Sequence, residues 1–569
     1  MNNVFRYCVK GRWHAVHRRS LCLVGAMIAC ASLGLPRLGQ SLWEDEVYSV
    51  RRWILGEYRV KGDGTVELKK LPWKNTLWKY TTTNHIFQSI LARLSHSAWR
   101  SLARPTGLQL SEAAARLPSY LAGILAVGAI GLLAARFGLA WEGALAAWLI
   151  AIHPWHMRFT TEARGYGLVA LLIPVSVLLA VYALNRGQWK WWIALAMASF
   201  ALLYTWPPAL STVLILHLCI ATSLLTEKRF SRGRDILILR WLVSGAFAGG
   251  VFLQIFLPCV PELLSYLKNV ADFTAPMSFL KNVGTLLLTG SPWNKSGLTT
   301  TTPYMEYFPV GEAYPLTFQI AIMLAIAFLA LGIFRLWVIE PRARWLVAVL
   351  IFPALLTYAY AAIRNKALME SYVGFMLQGV ALMVAVGAFR AFSPLRRFPS
   401  ARWTGPMLAV VLVGAFAVLS NPARHFLLTW GAERYRESVL VTRPSLNPNA
   451  PENLNIMTAA TTQPPYVYDP RVRRASTVDQ YVSLMEESDK RGVPLYVNNG
   501  FPTALKFDFP GIFAMLQDPA VFEPVAYLTG TDVMVDRVVH RYRPEGIKRT
   551  DLERYKLIEA SQNSRRSNE

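Results

Sequence analysis

Charge is scarce in this chain: of 569 residues only 17% are charged, against 53% hydrophobic. That balance excludes intrinsic disorder and weighs against a purely water-soluble protein. Acids are scarcer than bases, 35 against 59, leaving a net charge of +24. Cysteine is nearly absent. The five present, Cys8, Cys22, Cys30, Cys219 and Cys259, fall in the basic N-terminal arm or in apolar runs. No disulfide framework therefore holds the polar segments, and no Cys/His spacing fits zinc. The polar C-terminal part has no glycine-rich phosphate loop, so no nucleotide cofactor is evident.

What is abundant is apolar sequence in long runs from Leu21 to about Asn421. A run of about 20 such residues crosses a ~30 Å hydrocarbon layer. The first run, Leu21 to Leu35, follows Arg6, Lys10, Arg12, Arg18 and Arg19, and reads as a retained signal anchor. Ten more follow, at 112–135, 139–152, 166–184, 191–205, 207–225, 236–260, 315–339, 343–363, 371–392 and 405–421. With the N-terminus in the cytoplasm, the short inside loops collect Arg136, Arg186, Lys190, Lys228, Arg229, Arg342, Arg344, Arg396 and Arg397. That agrees with the positive-inside rule. The basic surplus is thus partly a topology signal, and nucleic acid is not needed as a partner to explain it.

The expected fold is a polytopic α-helical membrane protein of about eleven transmembrane helices. These occupy 1–421, with exoplasmic loops at 39–111 and 261–314. A Pro/Asn-rich linker covers 422–452, and a small soluble α/β domain, also exoplasmic, covers 453–569. Within that domain, 465–468, 493–497, 522–528 and 533–542 read as strands and 477–490 and 509–516 as helices. Alternating elements of this kind imply a partly parallel sheet. The expected location is the inner (plasma) membrane, multi-pass, with the C-terminal domain periplasmic or extracellular.

Four polar stretches fall on that exoplasmic face. Ser41-Leu-Trp-Glu-Asp-Glu-Val-Tyr-Ser49 sets three acids just past the first span; taken alone, a helix N-cap is the plainer account of it. Thr81-Thr-Thr-Asn-His-Ile-Phe-Gln88 lies farther along the same loop, and Ser111-Glu-Ala-Ala-Ala-Arg-Leu-Pro-Ser119 opens the second span. His153-Pro-Trp-His-Met-Arg-Phe-Thr-Thr-Glu-Ala-Arg-Gly-Tyr166 leads into the fourth. A fifth, weaker stretch, Arg364-Asn-Lys-Ala-Leu-Met-Glu-Ser-Tyr372, sits between the ninth and tenth spans.

In order and wording these stretches resemble the type C glycosyltransferases (GT-C), in the group that includes protein mannosyltransferase-like, lipopolysaccharide-core and lipid A aminoarabinose transferase-like enzymes. Asp45-Glu46 with Tyr48 matches the acidic pair of the family's first exoplasmic loop. Thr82, Asn84 and His85 match its Thr-x-Asn-His segment, Arg116, Pro118 and Ser119 its Arg-x-Pro-Ser segment, and Glu162, Ala163, Arg164 and Tyr166 its Glu-Ala-Arg-Pro-Tyr segment. The match covers roughly the first 240 residues. It departs at Ile86-Phe87, where the family has prolines, and at Gly165, which stands where the family has proline.

The resemblance implies an integral membrane transferase moving a sugar from a polyprenyl-phosphate donor to an acceptor hydroxyl, with inversion. It implies Asp45 as general base, with Glu46 positioning it or binding acceptor or metal. Arg116, Arg164, Arg364 and Lys366 are then the carrier-phosphate candidates, and Tyr48, Asn84, His85, Glu162 and Tyr166 position acceptor or loop. The acceptor class, whether glycan, lipid or protein, and any divalent metal stay open. The chemistry suits the residues: a carboxylate takes a hydroxyl proton, and a guanidinium pairs phosphate oxygens and stays charged beside lipid. For each arginine the plain alternative is snorkelling to lipid headgroups. The alternative functions are a lipid-linked sugar flippase and an inactive envelope-assembly scaffold. A transporter calls for ionisable residues at span centres and an internal repeat; most charges here sit near span ends, and the spans do not pair into halves.

Overall fold

The computed structural model describes residues 20–79, 84–105, 108–231, 233–269, 277–290, 315–339, 342–365, 368, 370–392, 404–429, 433–447, 449–450, 455–459, 467–500, 502–528, 537–544 and 552–566. Lys366 and Thr82 lie outside the described residues, as does most of the loop at 261–314.

The chain is a polytopic helical protein with a small mixed sheet near its C-terminus. Eight described helices are long and apolar enough to cross a membrane: Ser20–Gly39, Glu112–Arg136, Tyr166–Arg186, Pro207–Thr226, Arg234–Ser265, Pro315–Ile339, Arg344–Ile363 and Gly374–Ala391. Met407–Leu419 and Asn421–Thr429 make a ninth if the pair, bent by 54°, is taken as one span. The two other expected runs are helical but shorter, Ala140–Ala151 with 12 residues and Trp189–Thr205 with 17.

Between apolar helices in lipid, close packing replaces the hydrophobic drive, so small residues mark the crossings. Where Pro315–Ile339 meets Leu377–Ala391, a Cβ on Gly387 would stand 1.7 Å from the Phe328 carbonyl oxygen, and one on Gly332 would stand 1.8 Å from that of Met383. The two backbones touch there, and only glycine allows it.

Past the first span the chain forms helix Glu44–Ser49, which runs on as a π-turn at Val50–Ile54. Strands β1 (Gly56–Val60) and β2 (Val66–Lys70) then pair antiparallel, Glu57 opposite Lys69. Helices Trp73–Trp78 and Ile86–Ala103 complete this first loop.

The C-terminal sheet contains β3 (Ile456–Ala459), β4 (Arg473–Arg474), β5 (Leu495–Gly500), β6 (Phe522–Leu528) and β7 (Arg537–Tyr542), in the order β4-β3-β5-β7-β6. β3 runs parallel to β4 and β5, while β7 is antiparallel to β5 and β6. The sheet is therefore partly parallel, as its alternating elements imply. Val467 and Tyr468, read from sequence as the end of a strand, lie in a turn. Both are buried in a core shared with Leu42, Val47, Trp53, Ala115, Ala163 and Tyr435. Burial against the first loop, not strand pairing, explains the apolar character of Val467 and Tyr468.

Candidate functional site

Helix Glu44–Ser49 begins with its three acids in the first turn, where the positive end of the helix dipole favours them. Glu46 reaches back to the Trp43 amide at 3.2 Å, as in a capping box. Consecutive residues on a helix point about 100° apart, so the two acids of the Asp45-Glu46 pair face different surroundings.

Glu46 faces inward and is fully buried. Arg116 meets it with both arms of its fork, Nε to Oε1 at 2.8 Å and Nη2 to Oε2 at 2.5 Å. Oε1 also accepts from the Ala163 amide at 2.6 Å. The other Arg116 donors are spent on carbonyls of Arg37, Leu38, Gln40 and Ser41, at 2.6 to 3.1 Å. Arg116 therefore has every N–H engaged within the chain and none facing outward. Glu46 likewise accepts from Arg116 twice, Ala163 and Trp43, which leaves it no lone pair for a metal. Among the described residues no three His, Cys, Asp or Glu side chains gather as they would around an ion.

Asp45 faces outward, its side chain 31% exposed. Arg164, only 5% exposed, sets Nη1 2.9 Å from its Oδ2. The approach is close but poorly aligned for a hydrogen bond, and Nε and Nη1 of Arg164 are buried with no hydrogen-bond acceptor among the described residues. The remaining arm donates to the Tyr166 hydroxyl at 3.3 Å. Burial alone would lower the Arg164 pKa; Asp45, and behind it Tyr166 and Glu162, overcome that and raise it. The group is a permanent cation with donors to spare beside a half-open carboxylate.

Glu162 and Tyr166 stand four residues apart, the spacing of one helix face, yet the segment between them, which carries Arg164, is not helical. Helix Pro154–Thr160 ends at Thr161, and the next begins at Tyr166. Residues 161–165 form an irregular link, so the Arg164 and Tyr166 side chains meet. Glu162 pairs with Arg158 at 3.1 Å, while its second oxygen is buried without a hydrogen bond. Burial raises its pKa, against the pull of Arg158. Gly165 has a specific cause: a Cβ there would lie 2.5 Å from Nδ1 of His85.

His85 is buried, stands at the residue before helix Ile86–Ala103 without a side-chain bond to it, and sets its ring edge-on to Tyr166 at 4.9 Å. Burial first, and the Arg164 charge second, drive its pKa well below the ordinary value, so the ring is neutral. Asn84 donates to the Lys79 carbonyl at 2.5 Å and accepts from Ser89 at 2.7 Å, which fixes the start of that helix. Tyr48 is half-buried on the Asp45 side of its helix, beneath the Arg52 guanidinium at 4.6 Å. Arg364 is exposed at the end of helix Phe352–Ile363, and among the described residues no ion pair joins it to Asp45. His153 and His156 are neutral; burial brings them down to about 3 and about 4. His153 caps its helix through the Trp155 amide, and His156 bonds the Gly123 carbonyl.

Several contributors carry no motif signal. Arg37 is buried and donates to Thr161 at 2.8 Å and to the Leu427 carbonyl at 2.5 Å. Glu112 accepts from Arg436 at 2.9 Å and from the Tyr468 hydroxyl at 3.1 Å, joining the second span to the C-terminal part. Glu433, buried beside Arg537 and Tyr435, feels the charges of Glu44 and Asp45. Tyr166 also lines a cleft of about 470 Å³ with Trp155, Phe159, Trp206, Phe375 and Gln378.

No protein-family model matches the chain, and neither does any curated protein. Among solved structures it is similar to ArnT from Cupriavidus metallidurans in the apo state, at 13% identity, over 94% of this chain and 99% of that one, with a TM-score of 0.48. The same protein bound to undecaprenyl phosphate matches at 13% identity over 93% and 98%, with a TM-score of 0.42. The apo oligosaccharyltransferase of Archaeoglobus fulgidus matches at 12% identity over 90% and 73%, with a TM-score of 0.48. At these scores the likenesses bear no weight for function, and the functional reading rests on the side chains.

Proposed function

We propose that this protein is a membrane glycosyltransferase that moves a sugar from a polyprenyl-phosphate donor to an acceptor hydroxyl on the exoplasmic face of the plasma (inner) membrane. The observation that carries the reading is the Asp45–Arg164 pair: an accessible carboxylate against a buried guanidinium with two unfilled donors. Those donors fit the oxygens of a departing phosphate, which a guanidinium fork binds in pairs. Asp45 takes the proton of the attacking hydroxyl as the bond to the anomeric carbon forms. The phosphate leaves with the electrons of the breaking bond, and the anomeric centre inverts.

In-line displacement sets base and leaving group on opposite sides of the sugar. In inverting glycoside hydrolysis the two flanking groups stand roughly 6.5–9.5 Å apart. The 2.9 Å contact between Arg164 and Asp45 is shorter than that, so it belongs to the resting site. The donor phosphate draws Arg164 away and leaves Asp45 free for the acceptor. Donor therefore binds before acceptor. Arg116, with its donors spent, holds the site together, and Arg364 with Lys366 remains the second contact for the carrier phosphate.

Incubation of purified protein with an authentic polyprenyl-phosphate sugar and envelope extract, followed by mass spectrometry of products, tests the reading. Transfer by the wild type and none by Asp45→Asn is the expected result. Undiminished transfer by Asp45→Asn would sink the mechanism.

A further inference from the structure

Away from the transfer site, a cavity of about 410 Å³ lies between the helices Trp189–Thr205, Pro207–Thr226 and Arg234–Ser265. Leu195, Leu203 and Val213 make much of its wall apolar, and His217 and Ser199 interrupt that wall from two different helices. His217 stands at the middle of the 20-residue span Pro207–Thr226. At that depth a titratable side chain is costly to keep and points to a function.

The state of each polar group follows from its bonds. Trp241 Nε1 donates to His217 Nδ1 at 2.8 Å, so Nδ1 presents its lone pair and the neutral ring carries its proton on Nε2. The Cε1 edge next to Nε2 faces Gly245, where a Cβ would stand 3.9 Å away. Helical hydroxyls commonly bond a carbonyl one turn back; Thr205, Thr222 and Ser244 do so here, at 2.7, 2.8 and 3.2 Å. Ser199 does not. It is 5% exposed, and its Oγ is buried with no hydrogen bond among the described residues.

The space between the helices is held open. Gly332 and Gly387 bring two backbones into contact, whereas a Cβ on Gly249, in this cavity, would meet nothing within 4 Å. One turn before Gly245 the Trp241–His217 bond ties the helices together, and one turn after Gly249 Phe252 packs edge-on to Phe200 at 6.4 Å. Between those two contacts the wall carries two donors, the His217 Nε2–H and the Ser199 hydroxyl.

An occupant at mid-depth has to be uncharged, and any O–H it brings costs free energy unless it too is paired. The ester oxygens of ordinary lipids stay near the headgroups, and an alcohol has one oxygen to share between two donors. A quinone ring is neutral, has no donor and carries two carbonyl oxygens, one for each wall, with a flat face that suits Phe200. We propose that this cavity binds the ring of an isoprenoid quinone dissolved in the membrane, its carbonyls accepting from His217 Nε2 and Ser199 Oγ. The site does not rest on the transferase reading.

Full-length protein in phosphatidylcholine discs, titrated with a radiolabelled benzoquinone bearing a two-isoprene tail and corrected for empty discs, tests the site; geraniol, the same tail ending in an alcohol, is the competitor. Saturable binding of one quinone per chain is expected, undisturbed by geraniol at equal concentration. Ser199→Ala removes one donor without repacking the wall, and is expected to bind about fivefold more weakly with unchanged melting. Gly245→Leu fills the cavity and is expected to abolish binding; should it fail to fold, Ser199→Ala decides alone. Binding no greater than to empty discs, or wild-type affinity in either variant, overturns the site. Equal displacement by geraniol overturns the quinone assignment.

Discussion

Replacing Asp45 by Asn keeps the side chain's shape and removes its charge, so it separates two roles that the resting contact entangles. In the wild type a donor phosphate must win Arg164 from Asp45, 2.9 Å away. A well-formed hydrogen bond to a charged group contributes about 1.5–3 kcal/mol. This contact is misaligned and Asp45 is 31% exposed, so we take about 1–2 kcal/mol, a factor of roughly 5–30 in an equilibrium constant. Asp45→Asn is therefore expected to bind the polyprenyl-phosphate sugar about five- to thirtyfold more tightly while losing transfer. Donor binding is read with a labelled donor in discs, and transfer by product mass spectrometry. Relief of repulsion between carboxylate and phosphate would also tighten binding, and a double-mutant cycle separates the causes. If the gain comes from the freed guanidinium, it vanishes in Asp45→Asn/Arg164→Gln; if it persists there, repulsion was its source. Unchanged or weaker donor binding in Asp45→Asn would refute the competition and the order of binding drawn from it.

Breaking the buried pair with Glu46→Gln leaves Arg116 without its charge partner and is expected to cost about 3–5 kcal/mol of stability, read as a lowered thermal midpoint that donor does not restore. Gly165→Ala drives a methyl into the His85 ring and is expected to cost about 1–3 kcal/mol; trimming the ring in Gly165→Ala/His85→Ala should recover part of it in the same melting assay. Burial holds Glu433 protonated up to about 8 against an ordinary 4.5, with Arg537 opposing and Glu44 and Asp45 adding to the rise, beside the buried Tyr435. The folded chain thus keeps a proton that the unfolded chain has released across that window, so stability falls as pH rises through it. Glu433→Gln should flatten the fall in thermal midpoint between pH 5 and 8, and an unchanged slope would count against a protonated Glu433.

Much of this arrangement was legible in the chain because hydropathy and charge assign the four polar stretches to one expected face. The structure joins them in pairs: Asp45 with Arg164, Glu46 with Arg116, and His85 with Gly165 and Tyr166. What could not be read is which member of each pair works and which holds. Arg116 and Arg164 look alike in sequence, each an arginine near the start of a span. They differ because neighbours on a helix diverge by about 100°, and nothing in the local pattern says which of Asp45 and Glu46 turns inward. The irregular link at 161–165 escaped for a related reason: its helix-like spacing is interrupted by the packing of Gly165 on His85, a contact between residues 80 positions apart. The bonds from Tyr468 to Leu42 and from Arg436 to Glu112 span more than 300 residues, beyond any local signal.

The division between Glu46 and Asp45 has an energetic logic. A fully buried ion pair is rarely a net gain in stability, because desolvating both charges offsets their attraction. What such a pair supplies is a fixed position. Here the Arg116 fork grips Glu46 and the carbonyls from Arg37 to Ser41 together, so the turn leaving the first span is locked to the second span. The Ala163 amide, donating to the same carboxylate, locks the segment that carries Arg164 one residue farther on. Both members of the Asp45–Arg164 pair therefore hang from a single buried carboxylate. On the proposed mechanism Asp45 and Arg164 part and close again around the donor phosphate, while Glu46 and Arg116 keep the two segments in register.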